Sequence, residues 1–146
     1  PFLWFDGQAE EAMNFYVSVF KDSKITHVTP WPGDKAMWVS AEMSGLTMYA
    51  LNGGPMYKFT EAISLFVDCA DQAEVDDLWA KLIADGGAEG QCGWLKDKYG
   101  LSWQIIPKTL SELLSDLDPV KSGKVMQAML GMKKIDIAGL QKAYES

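Results

Sequence analysis

The chain has no arginine and only one histidine, His27. All 13 basic residues are lysines, set against 20 acidic residues for a net charge of -7. Without the planar guanidinium fork there is no bidentate grip on phosphates or guanine edges, and the lysines are scattered along the chain. Nucleic acid and acidic membrane surfaces are therefore excluded as expected partners. Cysteine is scarce too: Cys69 and Cys92 lack CxxC spacing and read as free thiols of a reducing, cytoplasmic compartment. No apolar run approaches the roughly 18–20 residues of a membrane span. The N-terminus does not resemble a secretion signal, and the start at Pro1 suggests that a residue or more has been removed. A Ser-His-Asp or Cys-His arrangement would have to use His27, with neither cysteine nearby in sequence. His27, on an expected strand, reads as structural.

What is present is an ordinary globular composition, 48% hydrophobic and 23% charged over 146 residues. That length suits one compact domain or two small fused modules. "PFLWF" reads as a buried strand and "GQAEEAMNFYVSVF" as an amphipathic helix, with Ala9, Met13, Tyr16 and Phe20 near 3.6-residue spacing. Glu10 and Glu11 sit in the first turn, where the helix dipole favours them. "SKITHVTPW", "KAMWVSAEM" and "LTMYALN" read as three strands, the last two joined by a turn at Ser44–Gly45. The order β-α-β-β-β then recurs. "EAISLFVDC" reads as a strand and "ADQAEVDDLWAKLIADGG" as a helix ending at Gly86–Gly87. "AEGQC", "GWLKD" and "LSWQII" read as short strands. Asp68, Asp71, Glu74, Asp76 and Asp77 belong to the helix start and its solvated face. The expected fold is α+β: two tandem β-α-β-β-β modules, residues 1–57 and 58–107, with facing curved sheets, and a C-terminal helical extension over 108–146.

The repeat shows in the letters. "FDGQAE" parallels "VDCADQAE", and "GLTMYAL" parallels "GLSWQII". In this register Tyr49 corresponds to Gln104, Met48 to Trp103 and Trp4 to Phe66. Strand side chains alternate between faces. Trp4, Tyr49, Ser64, Phe66 and Gln104 are therefore expected on the cavity side, with Met48, Leu65 and Trp103 beneath the helices. An aromatic cavity with a few polar tips suits a small organic ligand. Gln104 is then either a core amide satisfied by neighbouring backbone or a group that orients a ligand. Val125, Met126, Met129 and Met132 form an apolar stripe, read as packing on the sheet or on a second subunit.

The duplicated unit is similar to the glyoxalase, bleomycin-resistance and extradiol-dioxygenase superfamily, the vicinal oxygen chelate proteins. "LWFDGQAEEAMNFYVSVF", "CGWLKDKYGLSWQIIP" and "VMQAMLGMKKIDIAGLQKA" resemble its PhnB-like branch, which often carries the label 3-demethylubiquinone-9 3-methyltransferase. A methyltransferase needs a nucleotide-type cofactor loop after a strand. Here "NGGP" ends a strand and "DGGAEG" a helix, which argues against methylation. The resemblance implies a homodimer and, in metal-dependent members, His, Glu or Gln ligands on the first and last strands of each module. Those last-strand slots fall at Gln104 and Tyr49. The first-strand slots fall at Ala62 or Ser64, and at Phe2 or ahead of Pro1. An amide and a phenol do not supply three or four good ligands, so no metal and no cofactor are expected. The reading is a protein that binds a small apolar or aromatic molecule through Trp4, Tyr49, Ser64, Phe66 and Gln104. Its alternatives are a glyoxalase-type lyase, isomerase or oxygenase with an atypical metal site, and a purely structural protein.

Overall fold

A computed structural model describes residues 1–30, 32–33 and 36–146. It contains two four-stranded sheets and, among the described residues, five α-helices. The elements are β1 (Phe2–Phe5), α1 (Ala9–Val19), β2 (Ser23–Pro30), β3 (Ala36–Met43) and β4 (Leu46–Asn52), then β5 (Leu65–Cys69), α2 (Gln72–Ile83), β6 (Ala88–Glu89), β7 (Trp94–Lys96) and β8 (Ser102–Pro107). Three helices follow: α3 (Lys108–Leu114), α4 (Pro119–Leu130) and α5 (Ile137–Glu145). The mixed α+β class and the repeated β-α-β-β-β order are as the sequence predicts. The expected strand ends at Trp31 and Lys35 lie outside the described residues. The chain divides into two compact units, Pro1–Phe59 and Thr60–Ser146.

In the first unit the sheet order is β1-β4-β3-β2, with β1 parallel to β4 and the other pairs antiparallel. Ser44 and Gly45 turn the β3–β4 hairpin with φ of 48° and 89°. Both central residues are left-handed, as the two-residue turn that matches strand twist requires. Helix α1 buries Ala9, Ala12, Met13 and Tyr16 against Val39, Ala41, Met48 and Ala50. Its first turn is fastened from a distance. Asn52 Oδ1, at the end of β4, accepts from Ala9 N at 2.9 Å while its Nδ2 donates to Ala36 O at 2.8 Å. That satisfies a helix-terminal N–H which α1 leaves without a local cap.

The second unit has order β5-β8-β7-β6 with the same pairing senses. Helix α2 covers Leu95, Trp103 and Ile105 with Val75, Leu78, Trp79 and Leu82. Asp71 Oδ1 accepts from Glu74 N, and Glu74 Oε2 accepts from Ala70 N, a reciprocal cap. Three boundaries differ from expectation. The strand expected from Glu61 begins at Leu65, because Glu61–Ile63 form a turn in which Thr60 Oγ1 accepts from Ala62 N. Helix α2 stops at Ile83 rather than at Gly86–Gly87, where a short 3-10 turn with left-handed Asp85 follows. The "AEGQC" strand is only Ala88–Glu89, since left-handed Cys92 and Gly93 turn the chain into β7.

The apolar stripe on α4 is largely covered by the chain itself. Val125 is fully buried in a cluster with Ile106, Leu110, Ile135 and Leu140, and Met129 and Met132 pack against it. Met126 remains exposed. Of the two packings expected for the stripe, Val125, Met129 and Met132 thus pack within the chain, against Ile106 of β8 and the tail's own helices. The tail is also tied to α2 by one side chain. Gln72 Nε2 donates to Ile135 O and to Asp76 Oδ1, both at 3.0 Å, and Gln72 Oε1 accepts from Ile137 N at 2.8 Å.

Candidate functional site

Each sheet has a helix-covered face and an open one, and alternation assigns the site residues between them. On β4, Met48 and Ala50 lie under α1, while Tyr49 is 40% exposed on the open face. On β8, Trp103 and Ile105 lie under α2, and Ser102 and Gln104 point the other way. Trp4 shares the open face of the first sheet with Tyr49, because β1 pairs Phe2 with Tyr49 and Trp4 with Leu51. Phe66, 57% exposed, lies opposite Gln104 on the second.

Within the second unit, Ser64, Phe66 and Gln104 come together. Gln104 Nε2 donates to Ser64 Oγ at 2.9 Å. Among the described residues nothing donates to Gln104 Oε1. Trp94 flanks Gln104 from β7 on the same face. An open cleft of about 440 Å³ adjoins this row, lined by Trp94, Ala88, Lys96, Ser102 and the Glu61 turn, among others. Ser102 Oγ is buried there without a hydrogen-bond partner among the described residues. Lys96 and Glu61 pair across the cleft margin, and the Lys96 hydrogen bond holds the Glu61 carboxyl below the usual carboxylate range.

In the first unit Tyr49 stacks on Phe2 with ring centroids 5.4 Å apart and planes 22° apart. Trp4 is held by its own loop. Its Nε1 donates to Gly54 O at 2.9 Å, the edge of Tyr57 meets its ring at 5.0 Å, and Gly53 presses close against the indole. The ladders also correct the internal register. Phe66 faces Gln104 as Phe2 faces Tyr49, so Phe66 is the counterpart of Phe2, and Trp4 that of Asp68. The two-residue shift preserves the face but moves the counterpart of Ser64 ahead of Pro1.

Asp97 was not among the residues expected at the site. It is 2% exposed, and its carboxylate accepts from Tyr99 N, Leu101 N and Trp103 Nε1 at 2.9–3.1 Å. It holds the β7–β8 turn and anchors Trp103 beneath Gln104's strand. Its signal was the short "DKYG" segment, an Asx-type turn.

The metal slots of the superfamily do not fit a divalent ion here. Gln104 turns its donor nitrogen toward Ser64, an amide orientation assigned from the hydrogen-bond network. Phe2 offers only a ring, and Ala62 and Ser64 precede the strand. Among the described residues no three His, Cys, Asp or Glu side chains cluster as a metal site. Neither glycine pair has the context of a nucleotide loop. Gly53–Gly54 leads from β4 into a long connection before β5, and Gly86–Gly87 follows α2.

The family model described as 3-demethylubiquinone-9 3-methyltransferase matches residues 1–106. The chain belongs to this family. The PhnB protein from Bacillus cereus is 34% identical with a TM-score of 0.67, covering 73% of this chain and 95% of that one. Protein PA1353 from Pseudomonas aeruginosa, at 20% identity, has a TM-score of 0.62 over 73% of this chain and 94% of its own. A glyoxylase/bleomycin resistance protein/dioxygenase domain from Frankia sp. EAN1pec has a TM-score of 0.51 at 14% identity, over 70% of this chain and 90% of that one. The last two show a shared fold. A comparison with curated protein sequences finds no match. The family match ends at Ile106, ahead of the helical tail.

Proposed function

We propose that this family member binds a small, largely apolar or aromatic molecule on the open faces of its sheets and does so without a divalent metal centre. The observation that carries the reading is the Gln104–Ser64 hydrogen bond set beside exposed Phe66 and half-buried Trp94, with the Gln104 amide oxygen left to accept from a ligand donor. Apolar surface with a few placed polar groups is the usual composition of small-molecule sites. On the second unit's sheet Gln104 orients the ligand, Phe66 supplies ring surface and Ser64 fixes the amide; on the first unit's sheet Tyr49 and Trp4 offer the corresponding polar tip and ring surface. The glycine placement and the ligand-poor slots weigh against methyl transfer and against glyoxalase-type or oxygenase chemistry in this chain. A homodimer in the cytoplasm belongs to the same reading, supported by the superfamily resemblance and by two free cysteines.

The test combines elemental analysis with melting in added Mn, Fe, Ni and Zn, since tight binding to the native state raises the melting temperature by mass action. The expected result is no bound metal and no shift. A library of small aromatics is then screened through tryptophan fluorescence, and a hit is re-measured in Gln104→Ala and Tyr49→Phe. Unchanged affinity in both variants would remove these residues from the site, and stoichiometric metal would replace the reading with a metalloenzyme.

A further inference from the structure

The alternation of β2 is interrupted. Ile25 pairs with Ala41 on the helix side, but the next pair is His27 with Ser40, so Thr26 is an extra residue in the ladder. A bulge re-aims the side chains that follow it. Without it His27 would follow Ile25 to the helix side. With it, His27 is exposed on the open face, in register with Ser40, which pairs in turn with Tyr49, which pairs with Phe2. The only histidine of the chain thus ends a four-strand row, His27–Ser40–Tyr49–Phe2, about 14 Å long at three interstrand steps.

The row has an aromatic end and a polar end. Phe2 and Tyr49 are stacked, and Trp38 is exposed in the neighbouring row. Among the described residues neither the His27 imidazole nor the Ser40 hydroxyl has a hydrogen-bond partner. The charged groups in the row beyond are Lys24 and Glu42, paired across β2 and β3, and Glu42 Oε1 accepts from Thr47 Oγ1 at 2.7 Å. Lys24 stands opposite Glu42 in the ladder, and beside that pair His27 and Ser40 place two further donors at this edge of an otherwise acidic chain. The second unit builds nothing comparable. Its equivalent row is Gly90–Trp94–Gln104–Phe66, where Gly90 N donates to Trp94 O at 2.8 Å, and a Cβ on Gly90 would strike that oxygen.

We infer that His27 and Ser40 form the acid-recognising end of the site, so that the ligand class is a flat aromatic molecule carrying a carboxylate. The ring lies against Tyr49 and Trp38, and the carboxylate reaches one to two strands further to the hydroxyl and the imidazole. This rests on the proposed aromatic-ligand reading and adds to it a charge, a direction and two residues.

The experiment compares 2-naphthoate with its neutral isostere 2-naphthamide by titration calorimetry, on the native protein and on His27→Ala, Ser40→Ala and Tyr49→Ala. His27 and Ser40 lie on a solvent-facing surface, and melting curves confirm that the variants fold. The native protein prefers the carboxylate by about ten-fold, the size of one charge-assisted hydrogen bond. His27→Ala abolishes that preference while leaving the amide's affinity in place, and Ser40→Ala reduces it. Equal binding of the two probes, or a preference that survives His27→Ala, overturns the inference. Tyr49→Ala separates the two readings, because it weakens both probes alike if the aromatic surface of this row is right, whatever becomes of the preference. Absence of binding by either probe overturns both.

Discussion

Cys69 is fully buried at the end of β5, and that burial pushes its thiol up to about 12, with smaller contributions from Glu74, Asp68 and Asp71. The folded thiol therefore keeps its proton at a pH where the unfolded thiol, near 9.0, has lost it. The stability this contributes is complete below about pH 9 and is lost as the pH climbs toward 12. Urea midpoints of the native protein should fall more steeply between pH 8.5 and 11 than those of Cys69→Ala; parallel curves would contradict the assignment. A second single-residue test concerns Gly53. A Cβ there would lie 2.3 Å from the Trp4 indole. Gly53→Ala should displace that ring and cost roughly 1–3 kcal/mol, read as a lower melting temperature with altered tryptophan fluorescence. Asp97→Ala, which strips three N–H groups of their acceptor, should cost at least as much, about 2–4 kcal/mol by urea titration. At this scale the period of two was a dependable guide. It set Tyr49, Phe66 and Gln104 outward and Met48 and Trp103 inward without any structure. It could not reveal His27, because a bulge leaves no mark in a run such as "KITHVT". Nor could it reveal Asp97, whose burial depends on a turn folding back on its own strand.

Among elements, the long periodic segments were legible and the short ones were not. Helix α1 and the β3–β4 hairpin declare themselves through spacing and a Ser-Gly turn. The short β6 and the late start of β5 are set by ladder partners and turn bonds that are distant or local in ways no window of sequence displays. The first-strand register is the clearest case. Letter similarity aligned Trp4 with Phe66, whereas hydrogen-bonded pairing aligns Phe2 with it. The junction between α2 and α5 gives an element-level prediction. Gln72 satisfies groups at both Ile135 and Ile137, and Lys134 reinforces the link through Asp76 at 2.8 Å. The Lys134 hydrogen bond, followed by that of Gln72, holds the Asp76 carboxyl below its usual range. Gln72→Ala should speed amide hydrogen exchange across α5 by about ten-fold, the effect of losing one or two net hydrogen bonds, while protection in α1 stays unchanged. Equal loosening of α1, or none in α5, would refute the clasp.

For the whole molecule, the family match covers the two modules and stops where the helical tail begins. The tail is nevertheless integral to the second unit, since Ile106 on β8 shares its core with Leu110, Val125, Ile135 and Leu140. Ending the chain after Pro107 should uncover this surface. Residues 1–107 are expected to bind a hydrophobic dye and to lose a sharp melting transition, and a soluble, cooperatively melting fragment would show that the modules stand without the tail. Ile106 also lies two residues from Gln104, on the same side of the same strand. One stride of β8 thus serves the aromatic face with one side chain and the tail's interior with the next. A substitution in the tail, a segment beyond the family match, can therefore displace Gln104 through the shared strand while every residue of the open face keeps its identity. In this chain the appended helices are thus a place from which that face can be altered, unseen by any survey confined to it.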